Sequence, residues 1–329
     1  MRATSTRSAA RRRAEANALT LHPDPALVAE IERRVAVLRR VFDLSRLEGS
    51  GDTPAKVSRY YEDSRAGYRH VHSKAGAMHM ALNPDGRFDR AGYEGQSRLV
   101  EERFAPTTDD VLELASGNGY NLGLLAERWP DKRFRGVDLV EDQVDRANSL
   151  LADRPNAHAM VGDFQALTLP DDAIDCIFVV ESLCHATDLA KAFGEARRVL
   201  RPGGRFIVID AWRTDAFSAL PAGVRDAAVS VERGMAVADA QELSVWQRTA
   251  ADSGLRVTED LDLTEQIVPN ITRLAKIADE RFLSHPVRAR VLQKVLPETL
   301  LLNAVSGYLM ALTVAVGAHT YRLLMLEHA

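Results

Sequence analysis

With 329 residues, 46% of them apolar and 27% charged, the chain is long enough for one large domain with a substantial cap and has the balance of an ordinary globular protein. A formal net charge of -4 gives no general electrostatic reason to bind nucleic acid and leaves a small molecule as the default partner. Only Cys176 and Cys184 occur, without the paired spacing of a zinc or redox site, so neither a disulfide framework nor a metal site is expected, and a reducing cytoplasm fits.

In chain order, residues 1–20 carry Arg2, Arg7, Arg11, Arg12 and Arg13 with no apolar stretch behind them, and read as a flexible basic arm. Apolar residues at helical spacing (Leu27, Val28, Ile31, Val35, Leu38) predict an amphipathic helix over 25–42, part of a helical cap over 21–97. Within that cap, 60–93 is polar and aromatic with no clean period, and is expected to line a site.

From about residue 98 the pattern changes to short apolar runs alternating with helical segments. Strands are predicted at 111–115, 133–138, 157–162, 174–180 and 205–211, with helices at 121–129, 143–153 and 189–200 between them. Further helices at 217–235 and 241–253, a strand at 255–263, helices at 269–283 and 286–316, and a strand at 320–326 complete the chain. The expectation is an α/β fold, a Rossmann-like doubly wound seven-stranded sheet with both faces covered and a ligand crevice at the carboxyl ends of the parallel strands. Segments 215–237 and 266–317 would form a helical lid or a homo-oligomer interface. The most apolar run, 300–316, contains Asn303, Ser306, Gly307 and Thr313 and falls short of the roughly 20 residues that span a bilayer, so a buried helix is expected and no stable membrane insertion.

The strongest local signal is Val111-Leu-Glu-Leu-Ala-Ser-Gly-Asn-Gly119, a strand running into a small-residue turn and then a helix. Gly117 and Gly119 allow a tight bend and close approach of a ligand, and Asp138, about twenty residues on, sits where a carboxylate can accept from both hydroxyls of a ribose. Leu122 stands where a dinucleotide fingerprint needs its third glycine, and no Gly-Lys-Ser/Thr follows for a nucleoside triphosphate.

These residues resemble the class I S-adenosylmethionine-dependent methyltransferases over roughly 109–212. The resemblance implies S-adenosylmethionine as cofactor, with Glu113, Ala115, Gly117, Gly119 and Asn121 around its methionine part. It further implies Asp138 at the ribose, Asp163 and Phe164 at the adenine, and Leu139 and Gln143 among the residues that bind the cofactor. Leu200-Arg-Pro-Gly-Gly-Arg205 is similar to the family's turn before the fifth strand. One departure stands out: the first small residue of the motif is usually Gly and here is Ala115, whose methyl group would tighten the strand end, shift the cofactor or weaken its binding.

Glu181-Ser-Leu-Cys-His185, with Tyr60-Tyr61 and Met78-His79 upstream, is similar to the sterol, tocopherol and prenyl-diphosphate methyltransferases. That likeness implies carbon methylation of an isoprenoid acceptor, with Tyr60 and Glu181 also touching the cofactor. Glu181 would serve as base or cofactor ligand, His185 and His79 as second bases, orienting groups or structural histidines, and Tyr61 as a cation-stabilising face or a mere cover. Arg59, Tyr68, Arg69 and Lys74 would grip the acceptor or form a solvated face. A diphosphate would bring Mg2+ through its own oxygens, since no protein metal ligands are visible. An oxygen or nitrogen methyltransferase and a catalytically silent cofactor-binding protein remain as alternatives.

Overall fold

The computed structural model describes residues 23–42, 62–64, 71–237, 240–284 and 298–329. An N-terminal helix α1 (Pro25–Val41) is capped by the Asp24 carboxylate, which accepts from the Ala26 N–H at 2.8 Å. Its apolar stripe, with Ile31 and Leu38 fully buried, lies on two later helices, as the spacing predicts. A short helix α2 (Gly95–Glu101) leads into the alternating region.

There β1 (Asp110–Leu114), α3 (Tyr120–Arg128), β2 (Arg133–Asp138), α4 (Glu141–Leu150), β3 (Ala157–Val161), β4 (Ile174–Val180), α5 (Leu189–Val199) and β5 (Leu200–Arg213) follow one another. Next come α6 (Ala222–Gly234), α7 (Leu243–Asp252), β6 (Leu255–Asp262), α8 (Thr264–Ala278), α9 (Glu298–Ala315) and β7 (His319–His328). The sheet order is β3-β2-β1-β4-β5-β7-β6. β1 through β5 pair in parallel, with Glu113 opposite Gly136 on one side and Phe178 on the other.

Alternation along the strands divides the core. Ile207 and Ile209 of β5 face the side covered by α1, α3 and the lid helices, whereas Phe206 and Val208 face Phe193, Val199 and Trp246 of α5 and α7. Gly136 of β2 permits close docking of the turn after β1, since a Cβ there would fall 2.5 Å from Ser116 Oγ.

Three boundaries differ from the sequence expectation. β7 is antiparallel to both neighbours and inserts between β5 and β6, so the sheet is mixed rather than wholly parallel. β5 begins at Leu200 and contains the Arg-Pro-Gly-Gly-Arg turn as an irregularity, its pairing with β4 jumping from Leu200 to Arg205. α8 starts at Thr264, not Pro269. The carbonyl that Pro269 cannot bond belongs to the exposed Glu265, where water can satisfy it. α9 is the one described helix long and apolar enough to cross a membrane, yet it buries Leu301, Val305, Tyr308, Leu309 and Met310 against the rest of the chain.

Candidate active site

β1 and β4 are neighbours whose crossovers leave in opposite directions, and the crevice that this reversal opens at their carboxyl ends holds most of the expected cofactor residues. Glu113, Ala115, Gly117, Asn121, Asp138, Leu139, Gln143, Asp163, Phe164 and Glu181 all line it. Gly119 lies just behind, at φ 80°, as the N-cap of α3. Tyr60 falls outside the described residues, as do Arg59, Tyr61, Tyr68 and Arg69. Lys74 is exposed and lines neither the crevice nor the two cavities beside it.

Ala115 stands at φ 52°, in the left-handed region that glycine enters freely and alanine enters at a cost of about 1–2 kcal/mol. The backbone at this departure therefore keeps the shape that a glycine would give it.

Glu113 is buried. Its Oε1 accepts from Asn121 Nδ2 at 3.1 Å, while its Oε2 and the Asn121 Oδ1 have no partner among the described residues. Burial pushes the Glu113 carboxyl up to about 8. Asp138 accepts from the Gly117 N–H at 2.8 Å and the Val140 N–H at 2.9 Å, which fix its rotamer, yet burial still raises it above the usual carboxylate range. Asp163 accepts from the Gln165 N–H at 2.8 Å. Leu139, 44% exposed, forms an apolar lip that a flat ring would cover.

A second cavity, of about 540 Å³, opens from the first and shares Met78, Glu181, His185 and Thr187 with it. Apolar and aromatic groups from the sheet (Trp212, Tyr321), the lid (Ile267, Met310), α7 (Trp246) and the segment before α2 (Met80) are among its walls. Glu181 sits on the shared wall, directly after β4 and at φ 49°. Its Oε1 accepts from the Met80 N–H at 2.8 Å and the Tyr321 hydroxyl at 2.7 Å, and that hydroxyl in turn accepts from Gln96 Nε2 at 3.1 Å. Burial pushes Glu181 up to about 7.

His185 directs Nδ1 at the Ala236 carbonyl at 3.1 Å, so that nitrogen carries the hydrogen and Nε2 is the basic atom. Burial lowers the ring to about 4 and keeps it neutral. His79 makes the same kind of bond, Nδ1 to the Met80 carbonyl at 3.1 Å, and borders the cofactor crevice but not the larger cavity. Asp210 of β5 also lines the larger cavity and accepts from the Ala211 and Cys184 N–H groups. Burial pushes it up to about 6.

Sequence reasoning did not find Tyr321, Asp210, Trp212 or Trp246. Tyr321 meets Glu181 across 140 residues, and nothing local to Thr-Tyr-Arg at 320–322 marks it.

A family model for the methyltransferase domain matches residues 112–208. A sterol 24-C-methyltransferase of Neurospora crassa is 27% identical over 48% of this chain and 42% of its own length. A 27-O-demethylrifamycin SV methyltransferase of Amycolatopsis mediterranei is 30% identical over 57% and 66%. The solved geranyl diphosphate C-methyltransferase of Streptomyces coelicolor superposes with a TM-score of 0.61 at 17% identity, covering 84% of this chain and 97% of that one. The fold is that of the class I S-adenosylmethionine-dependent methyltransferases. The chain spans between a third and a half of the length of the first curated relatives it matches.

The crevice fits S-adenosylmethionine. The two acceptor oxygens at Glu113 and Asn121 that lack a partner among the described residues would suit its cationic amino acid end, Asp138 would accept from the ribose, and Asp163 and Phe164 would border the adenine.

Proposed function

We propose that this protein transfers the methyl group of S-adenosylmethionine to carbon of a small, apolar, isoprenoid-like acceptor held in the larger cavity. The observation that carries this reading is the position of Glu181, a half-buried residue on the wall between cofactor crevice and acceptor cavity, its carboxyl raised to about 7. S-adenosylmethionine would supply an electrophilic methyl group. An alkene that takes it becomes positively charged, and Glu181 can both stabilise that charge and accept the proton whose loss restores a double bond. His185, kept neutral by burial, lines the same wall. Tyr321 and the Met80 N–H hold the Glu181 carboxylate in place, so little reorganisation accompanies the transfer.

The cavity's own charge favours a neutral isoprenoid over a prenyl diphosphate. Glu181, Asp210 and Glu232 line it, Arg213 offsets the charge of Glu232, and no Lys or Arg lines it among the described residues, so a phosphate there would meet the carboxyls of Glu181 and Asp210. Grip on a diphosphate would fall to Arg59, Tyr68 and Arg69, with Mg2+ brought by the phosphate itself. Among the described residues no group of three or more His, Cys, Asp and Glu could hold a metal. Neither Cys176 nor Cys184 is in a disulfide, in keeping with the cytoplasm.

The acidic lining gives the nitrogen-methyltransferase alternative one specific support, because a protonated amine would be held there as well as a carbocation. Calorimetric titration with S-adenosylmethionine, followed by mass spectrometry of products from isoprenoid alcohols, prenyl diphosphates, sterols and apolar amines, tests both readings. A carbon-methylated isoprenoid is the expected result. Exclusive methylation of amines would replace carbon by nitrogen, and failure to bind the cofactor would overturn the proposal.

A further inference from the structure

Away from the cofactor, the wall of the acceptor cavity carries a charged group that the proposed chemistry does not use. Glu232 of α6 is 3% exposed and lines the larger cavity but not the cofactor crevice. Arg213, at the end of β5, donates Nε to its Oε1 at 2.8 Å and Nη2 to its Oε2 at 2.6 Å. His319, paired with Arg213 in the β5–β7 register, places Nε2 3.0 Å from the same Oε1 and Nδ1 3.1 Å from Thr313 Oγ1. Three elements, α6, β5 and β7, thus meet at one carboxylate, and Thr313 of α9 braces His319 from behind.

A buried ion pair is a poor way to add stability, because removing both charges from water costs about as much as their attraction returns. An apolar wall would enclose a purely hydrocarbon acceptor better. The arrangement makes chemical sense if the carboxylate also serves a ligand. Among the described residues Oε1 takes two hydrogen bonds and Oε2 one, which leaves Oε2 with capacity for a further donor. Because Arg213 offsets its charge, Glu232 would hold a neutral donor without demanding a cation.

Resting on the acceptor reading above, we propose that Glu232 is a recognition site for a hydroxyl group of the acceptor, remote from the carbon that is methylated. The acceptor is then an amphiphile, an isoprenoid alcohol whose hydroxyl bonds Glu232 while its alkene lies against Glu181. His319 and Tyr321 stand two residues apart on β7 and so face the same side of the sheet, about 7 Å apart at the backbone, which places both groups on one ligand's path.

The test measures binding and leaves turnover aside. Trp212 and Trp246 line the cavity, so their fluorescence reports its occupation. Protein saturated with S-adenosylhomocysteine is titrated with farnesol and with the hydrocarbon in which hydrogen replaces the hydroxyl. A hydrogen bond to a charged group predicts at least tenfold tighter binding of the alcohol. In Glu232→Gln that ratio should fall below about threefold while hydrocarbon affinity stays within twofold of the original, since the charge assistance is lost and the shape kept. If Glu232→Gln does not fold, Arg213→Lys, which keeps the charge but loses the paired grip on the carboxylate, should lower the ratio as well. Equal affinity for both ligands in the unaltered protein, or an unchanged ratio in the variants, overturns the hydroxyl site alone. Failure of both ligands to bind removes the isoprenoid reading together with it.

Discussion

Glu113 combines burial, an unpartnered oxygen and a carboxyl raised to about 8, a costly combination for a protein without its ligand. Below that pH the group holds a proton, and the cationic amino acid end of S-adenosylmethionine must expel it. Affinity should therefore rise as pH rises from 6 to 7, by up to about tenfold, with net proton release seen as a dependence of the calorimetric heat on buffer ionisation enthalpy. Glu113→Gln should abolish both effects, weaken binding by at least tenfold and raise the unfolding temperature of the ligand-free protein. An unchanged pH dependence in that variant would mean that another group takes the charge. Tyr321 acts on a neighbouring titration. Its hydroxyl donates to Glu181 and so lowers that carboxyl against the larger upward push of burial. Tyr321→Phe removes the donor, so the rise of kcat/KM with pH, centred near 7 in the unaltered enzyme, should move to higher pH, whereas a purely packing role for Tyr321 would lower the rate at every pH without moving the midpoint. Most of the crevice residues were legible in the sequence because one turn after β1 and the ends of β2 and β3 supply them, and such turns have local chemistry. Tyr321, Asp210, Trp212 and Trp246 were not, because a strand residue's neighbours depend on a pairing that local sequence does not encode.

At the level of elements the same division holds. β1 to β5 announce themselves by apolar runs broken by Gly and acidic residues, and parallel order follows from the helices between them. β7 was legible as a strand over 320–326 but not in its antiparallel place, because the pairing of a strand is not encoded locally, and its insertion between β5 and β6 sets Tyr321 beside Ala211. The lid was legible as helices but not as a wall. α6 crosses α9 closely at Gly234, where a Cβ would lie 2.7 Å from the Leu302 carbonyl and would also press on Ser306 Oγ, which is itself bonded to the Val231 carbonyl at 2.8 Å. Backbone cannot yield there as a flexible side chain would. Gly234→Ala should force α6 and α9 apart, destabilise the protein by about 1–3 kcal/mol and raise KM for the acceptor, while cofactor affinity, set on the other side of Glu181, stays unchanged. Denaturant unfolding and cofactor titration of the same sample separate the two effects. Loss of cofactor binding in step with stability would show that the lid and the crevice are one unit.

Over the whole molecule, acidic residues divide by the end of the sheet on which they stand. At the amino ends of the strands, Asp110 is held below the usual carboxylate range, chiefly by Arg133, which donates to it at 2.9 and 2.7 Å. Asp175 is also lowered: burial opposes this, but the Asp110 and Asp109 N–H groups and Arg201 outweigh it. At the carboxyl ends, burial raises Glu113 to about 8, Glu181 to about 7 and Asp210 to about 6. In the unfolded chain all five ionise near pH 4. The lowered pair contributes stability that is present above about pH 4 and lost as pH falls through their folded values. The raised three contribute stability that is present below about pH 4 and lost as pH climbs through 6 to 8. Ligand-free protein should therefore be most stable on the acid side of neutrality. A ligand that places a positive charge beside Glu113 lowers that carboxyl, so its stabilising effect should grow with pH and move the optimum upward. Thermal unfolding from pH 4 to 9, with and without S-adenosylhomocysteine, checks both statements. Asp110→Asn should lower stability above about pH 4 and make the acid limb shallower, because the contribution lost on acidification is gone, leaving the alkaline limb and the ligand shift in place. A ligand-free optimum above pH 7, or an optimum that the ligand does not move, would show that the buried acids at the carboxyl ends do not carry the charge cost assigned to them here.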